Sequence, residues 1–180
     1  MARKLIIKNA DFMDNGIYDI SDITLTPLFN LNWSKHTNKA SAGNGRFFPK
    51  FSWQLPKVKG KTIYGVRVKM GSTGGFRILS VTGYTTDPTI NSANTGTVEV
   101  LATFTDVAVN EVKDYIFDKP ITISNAGNVV LGIQPLNAAL YYMPSGNTPN
   151  LYWMNATPDT AAWKWTASYG GGFDPLIAAT

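Results

Sequence analysis

His36 is the only histidine in 180 residues, and it stands in the polar stretch Trp33-Ser-Lys-His-Thr-Asn-Lys39. A general base needs an orienting partner and a nucleophile within reach, and no carboxylate or nucleophile motif flanks this residue. It is therefore read as a solvent-exposed loop histidine. A zinc site would need further imidazole or thiolate ligands, yet the chain has no second histidine and no cysteine. The missing cysteines also remove disulfides and thiol nucleophiles. No Gly-rich loop ends in Lys-Ser or Lys-Thr, and Gly170-Gly-Gly172 is read as lacking the flanking strand and helix of a phosphate cradle. Only twelve acids are present, and a glycosidase-type carboxylate pair would have to be assembled by the fold. The chain is accordingly expected to be non-enzymatic, with no metal and no cofactor.

Aromatic residues give a stronger signal. Tyr141, Tyr142, Tyr152, Trp153, Trp163, Trp165 and Tyr169 crowd the last forty residues. Flat rings stack on sugar faces and anchor interfaces, so Tyr142, Tyr152, Trp153, Trp163 and Trp165 form the candidate glycan-binding set. Alternation along Leu151-Tyr-Trp-Met154 and Trp163-Lys-Trp165 sends neighbours to opposite faces, which leaves one or two rings for a ligand. Phe47, Phe48, Phe51, Trp53 and Tyr64 interleave with basic residues, a pattern that suits single-stranded nucleic acid. Against that reading, Phe47, Phe51 and Trp53 share one face of the alternation while Lys50 lies on the other.

Charge is divided along the chain. Residues 1–70 hold twelve Lys or Arg against four Asp, a net +8; residues 71–180 hold four against eight, a net −4. No acid occurs between Asp22 and Asp87, where Lys35, Lys39, Arg46, Lys50, Lys57, Lys59, Lys61, Arg67 and Lys69 all fall. Such a field favours an anionic neighbour. The opening Arg3, Lys4 and Lys8 flank Leu5-Ile6-Ile7, a short strand whose backbone could add to a sheet edge on another subunit. These residues, Arg3 to Lys8, are the candidate docking element. Three apolar residues do not make a secretory signal, and no stretch is long and apolar enough to span a membrane. Synthesis in a cytoplasm without membrane insertion is expected.

Positioning these groups falls to strands. Phe47, Pro49, Phe51, Trp53 and Leu55 alternate with Phe48, Lys50, Ser52 and Gln54, and Tyr64, Val66, Val68 and Met70 with Gly65, Arg67 and Lys69. Val98, Val100, Ala102 and Phe104 follow the same rule around one exception, Leu101. A period of two places apolar side chains on one face of a pleated strand. Further strands are expected at Leu5 to Lys8, Phe76 to Tyr84, Asp114 to Phe117, Pro120 to Ser124, Val129 to Gln134, Leu140 to Met143 and Leu151 to Met154. Gly, Asn and Pro clusters such as Gly71-Ser-Thr-Gly-Gly75 and Asn125-Ala-Gly-Asn128 punctuate them. About eight strands with short turns predict an all-β, antiparallel two-sheet sandwich of jelly-roll type with an N-terminal arm or extra strand. The expected division is an arm over residues 1–43 and a sandwich over 44–180.

Two stretches carry a resemblance. Lys4-Leu-Ile-Ile-Lys-Asn-Ala-Asp-Phe-Met-Asp-Asn-Gly-Ile17 resembles the start of virion and fibre-type proteins of phages that infect Bacteroidetes, including the crAss-like phages. Tyr115-Ile-Phe-Asp-Lys-Pro-Ile-Thr-Ile-Ser-Asn-Ala-Gly-Asn-Val-Val-Leu-Gly-Ile133 is similar to the strand, Pro, strand, turn, strand pattern of jelly-roll modules in such fibres and in bacterial surface carbohydrate-binding proteins. The resemblance implies a non-enzymatic bacteriophage virion protein, a head or tail fibre or capsid decoration subunit. It would be a homotrimer fixed to other virion proteins through its N-terminal region. The alternative is a carbohydrate-binding β-sandwich module that recognises host surface glycans.

Overall fold

The computed structural model describes residues 23–39, 48–51, 59–82, 93–94, 97–123, 129–142, 150–154, 163–170 and 172–179. Over these residues the chain folds into antiparallel strands and one short 3-10 turn at Trp33–Lys35. The strands are β1 (Leu25–Pro27), β2 (Asn38–Lys39), β3 (Phe48–Phe51), β4 (Thr62–Lys69), β5 (Gly75–Thr82), β6 (Ala93–Asn94) and β7 (Thr97–Phe104). They continue as β8 (Val112–Thr122), β9 (Val129–Leu136), β10 (Tyr141–Tyr142), β11 (Asn150–Met154), β12 (Trp163–Gly170) and β13 (Phe173–Ala178).

Two four-stranded sheets, ordered β1-β13-β4-β8 and β3-β9-β5-β7, pack against each other as a sandwich. Val66, Val68 and Phe173 of the first sheet meet Phe76, Ile78, Leu131 and Ile133 of the second in one buried cluster, and Tyr115 and Phe117 close it beside β7. Phe76 lies edge-on to Tyr115 with ring centroids 5.0 Å apart. Two small sheets, β10-β2 and β11-β12-β6, complete the described strands.

Two bulges change which alternating residues face inward. The β7 register passes from Ile78↔Ala102 to Leu79↔Val100, which leaves Leu101 as an extra residue. A bulge reverses the side-chain parity beyond it. Leu101 accordingly packs against the core, whereas Val100, expected on the apolar face, is 47% exposed. On β4 the register shifts between Ile63 and Gly65, so Ile63 is buried in the core and Tyr64, expected to be inward, is half-buried. Asp114 to Phe117 and Pro120 to Ser124, read as two strands, form the single β8, whose pairing to β4 skips residues 117–120.

The part of the predicted arm that is described, residues 23–39, is built into the sandwich. β1 pairs with β13 in the register Leu25↔Ala178 to Pro27↔Leu176. β2 pairs with β10 through Lys39↔Tyr141. The strap between them is fastened by Asp174, whose carboxylate accepts from Phe29 N–H at 2.8 Å and from Leu31 N–H at 2.9 Å. Leu28 N–H donates to the Pro175 carbonyl at 2.8 Å. An extended residue points its N and C=O to the same side, so the Pro175 nitrogen faces the strap, where no donor is needed. This is how a proline is tolerated in an inner strand. The boundary expected near Asn44 and residues 1–22 lie outside the described residues.

Candidate interaction surface

His36, Asp174, Arg67 and Asp114 are engaged in holding the fold. His36 corrects the sequence reading: it is 2% exposed rather than solvated. Asn32 caps the 3-10 turn by accepting from Ser34 N–H at 3.1 Å, and its carbonyl lies 3.1 Å from His36 Nδ1. The imidazole stacks on Trp33 with centroids 4.3 Å apart. A polar sequence context gave no sign of this, because the shielding ring comes from one turn of chain that folds back on itself.

Asp174, fully buried, serves as the clamp on the strap. It stands opposite Arg67 in the β13–β4 register, and Arg67 stands opposite Asp114 in the β4–β8 register. Arg67 forks onto Asp114 with Nε donating at 2.6 Å and Nη2 at 2.8 Å. That hydrogen bond, with the nearby carboxylate charges, raises the guanidinium pKa further against the opposing desolvation. Asp174, Arg67 and Asp114 thus form a row across the outer face of the first sheet. On the second sheet Arg77 donates to Gln134, its cross-strand partner. Among the described residues no group of three His, Cys, Asp or Glu could hold a metal ion.

The candidate binding aromatics divide. Tyr142 is 7% exposed and belongs to the core cluster, so it offers no face to a sugar. It pairs with Asn38 on β2, a partner that comes from residues assigned in sequence to the arm. Tyr152 and Trp153 lie on β11 and Trp163 and Trp165 on β12, which pair so that Tyr152 faces Ser168, Trp153 faces Ala167 and Met154 faces Trp165. The fold therefore brings these four positions into one small sheet; their side chains are outside the described residues. The docking candidates Arg3, Lys4, Leu5, Ile6, Ile7 and Lys8 are outside them as well.

Tyr141, absent from the candidate set, sits among cations. Lys39 Nζ lies 4.7 Å and Lys69 Nζ 4.4 Å from its ring centroid, and its hydroxyl donates to Asn110 Oδ1 at 3.0 Å. The Met70↔Leu140 bridge brings the end of β4 alongside β10 and so delivers Lys69. Each ammonium over a ring contributes roughly 0.5–1 kcal/mol at an exposed site. Two cations already occupy this ring, so it is a charged anchor rather than a bare stacking platform.

The open side of the sandwich lies between β7 and β8, the outer strands of the two sheets. There the sheets part into a cleft of about 820 Å³ whose apolar lining includes Leu101, Phe104, Phe117, Ile121 and Ile123. Glu99, Asp118 and Lys119 stand on its walls. Leu101, at the β7 bulge, and residues 117–120, where the β8 pairing is interrupted, line the cleft.

Among the described residues no helix is long and apolar enough to cross a membrane. No family model, no curated protein and no solved structure matches this chain.

Proposed function

We propose that the chain is a non-enzymatic structural subunit of a bacteriophage virion, a head or tail fibre or decoration protein with a jelly-roll body. In this reading it is made in the host cytoplasm and ends in the particle. The observation that carries the reading is the route of the chain through the two sheets. Taking the eight strands of the sandwich in chain order, β1, β4, β8 and β13 belong to the first sheet and β3, β5, β7 and β9 to the second. Only the step from β5 to β7 joins neighbours within a sheet; all others cross between sheets. This supports a double Greek key, the arrangement of capsid and lectin jelly rolls. A fold alone does not assign a role, but His36, Asp174, Arg67 and Asp114 are all spent on structure, which favours assembly over catalysis.

Mass spectrometry of purified particles from a phage that carries this gene tests the reading. Peptides of the chain at a stoichiometry fitting an appendage or decoration site are expected. Their absence from particles that contain the other structural proteins would overturn it. The carbohydrate-binding alternative draws on the convergence of Tyr152, Trp153, Trp163 and Trp165 positions in β11 and β12. A glycan array on the isolated chain, with Trp153→Ala and Trp165→Ala as controls, separates it from the first.

A further inference from the structure

We propose that Lys39, Tyr141, Lys69 and Val112 form the docking surface for an acidic segment of another protein of the particle. The inference rests on the assembly reading above and names the chemistry of the partner. Long-range pairing brings the four positions together: Lys39 stands opposite Tyr141 in the β2–β10 register, and Lys69 stands opposite Val112 in the β4–β8 register. The antiparallel Met70↔Leu140 bridge joins the two pairs, and both ammonium groups lie against one ring, 4.7 and 4.4 Å from its centroid. Two of these groups are fixed in place. A Cβ on Gly71 would lie 3.1 Å from Lys39 Cδ and 3.3 Å from its Cε, so this stem runs along bare backbone. The Tyr141 hydroxyl is anchored on Asn110 Oδ1. Side chains held before binding lose less rotamer freedom when a partner arrives.

Two like charges at one ring call for a counter-charge, and neither Lys39 nor Lys69 makes an ion pair among the described residues. The acids on the neighbouring strands are engaged elsewhere: Asp114 is forked by Arg67, and Asp174 holds the strap amides. Glu111, exposed beside Val112, reaches neither ammonium. Such a pair of cations selects a partner that carries carboxylates. The rest of the surface selects protein over an acidic glycan. Two cations already occupy the ring, which removes it as a stacking face for a sugar. Val109 at 38% and Val112 at 36%, close to Asn110 in the chain, are two of the three exposed large hydrophobics among the described residues. An aromatic ring and aliphatic side chains rimmed by charge have the make-up of a protein contact. A second copy is the poorer occupant, because each chain carries a net +4 and copies repel, whereas an acidic virion protein is drawn in.

Zero-length carbodiimide cross-linking tests this on particles from a phage that carries this gene. The reagent condenses a touching ammonium and carboxylate into an amide and itself takes up the water. Cross-links from Lys39 and Lys69 to Asp or Glu of a different virion protein are expected, well above those from Lys61, an exposed lysine beside the far end of β4. Lys39→Gln with Lys69→Gln should lower incorporation into particles roughly tenfold, with the fold retained by circular dichroism. Lys39→Arg with Lys69→Arg should restore it, since a guanidinium keeps both the charge and the ring contact. The wild-type cross-links carry the test should the Gln pair fail to fold. Cross-links no more frequent at Lys39 and Lys69 than at Lys61, or ending on acids of this chain in the same or another copy, would overturn the inference. So would normal incorporation of the Gln pair, or binding of acidic glycans on an array that the Gln pair abolishes. A chain absent from the particle overturns the assembly reading as well, whereas a chain present without these cross-links overturns this inference alone.

Discussion

Replacing Asp174 examines the joint that ties the N-terminal strap to the sandwich. The carboxylate is fully buried and accepts two backbone N–H bonds, from Phe29 at 2.8 Å and Leu31 at 2.9 Å, beside the Arg67 guanidinium. Asp174→Ala removes both bonds and strands two donors, and Leu31 is itself buried. A hydrogen bond to a charged group contributes about 1.5–3 kcal/mol, and relief of the buried charge offsets part of the loss. The net cost should be about 2–4 kcal/mol, a fall in Tm of roughly 5–15 °C for a chain of this size. Asp174→Asn can still accept from one donor but turns its amide N–H₂ toward the other, so an intermediate loss is expected. Urea unfolding gives the free energies, and amide exchange at Phe29 and Leu31 locates them. Loss of less than about 0.5 kcal/mol in both variants, with the two amides still protected, would refute the clamp. Equal destabilisation with those amides no more exchangeable than the rest of the sandwich would refute it too.

A Cβ on Gly65 would overlap the Tyr115 carbonyl oxygen and press on Ile116 Cα, both backbone of the paired strand. Gly65→Ala should therefore cost about 1–3 kcal/mol or more in chemical denaturation, since the β4–β8 ladder must part to accept it. The Leu101 bulge predicts opposite outcomes for neighbours: Leu101→Ala should cost roughly 1–3 kcal/mol and Val100→Ala less than about 0.5 kcal/mol. Equal effects would mean that the parity reversal is absent. Burial raises the pKa of the Tyr115 hydroxyl above its ordinary value, outweighing the lowering by the Ala108 N–H that donates to it at 2.8 Å. A pKa raised on folding stabilises fully below the unfolded value, near 10, and that contribution is lost as pH rises through the folded value. Melting should therefore be flat toward pH 9 and fall above about pH 10, with a smaller alkaline fall in Tyr115→Phe.

Period-two alternation with Gly, Asn and Pro punctuation determined the all-β class and placed β4, β5, β7, β9 and β11 close to where they lie, because inward apolar residues are a local property of a half-buried strand. The even odd-one-out at Leu101 was visible as a break in pattern, and tertiary pairing turned that break into a bulge. β13 escaped notice because residues 172–176 are buried on both faces, so Phe173-Asp-Pro-Leu176 shows no alternation and places an acid and a proline in an inner strand. Asp174 reads as a surface acid until the strap supplies two N–H donors from 143 and 145 residues away. His36 stacks on Trp33 within one local turn, whereas only the fold could withdraw Tyr142 into the core and set Tyr141 between Lys39 and Lys69. The division of charge was legible as composition, but the side of the molecule that bears each excess depends on which strands form the sheet edges. Sequence determined what could be buried; long-range pairing decided which polar groups went in with it, since their partners come from distant parts of the chain.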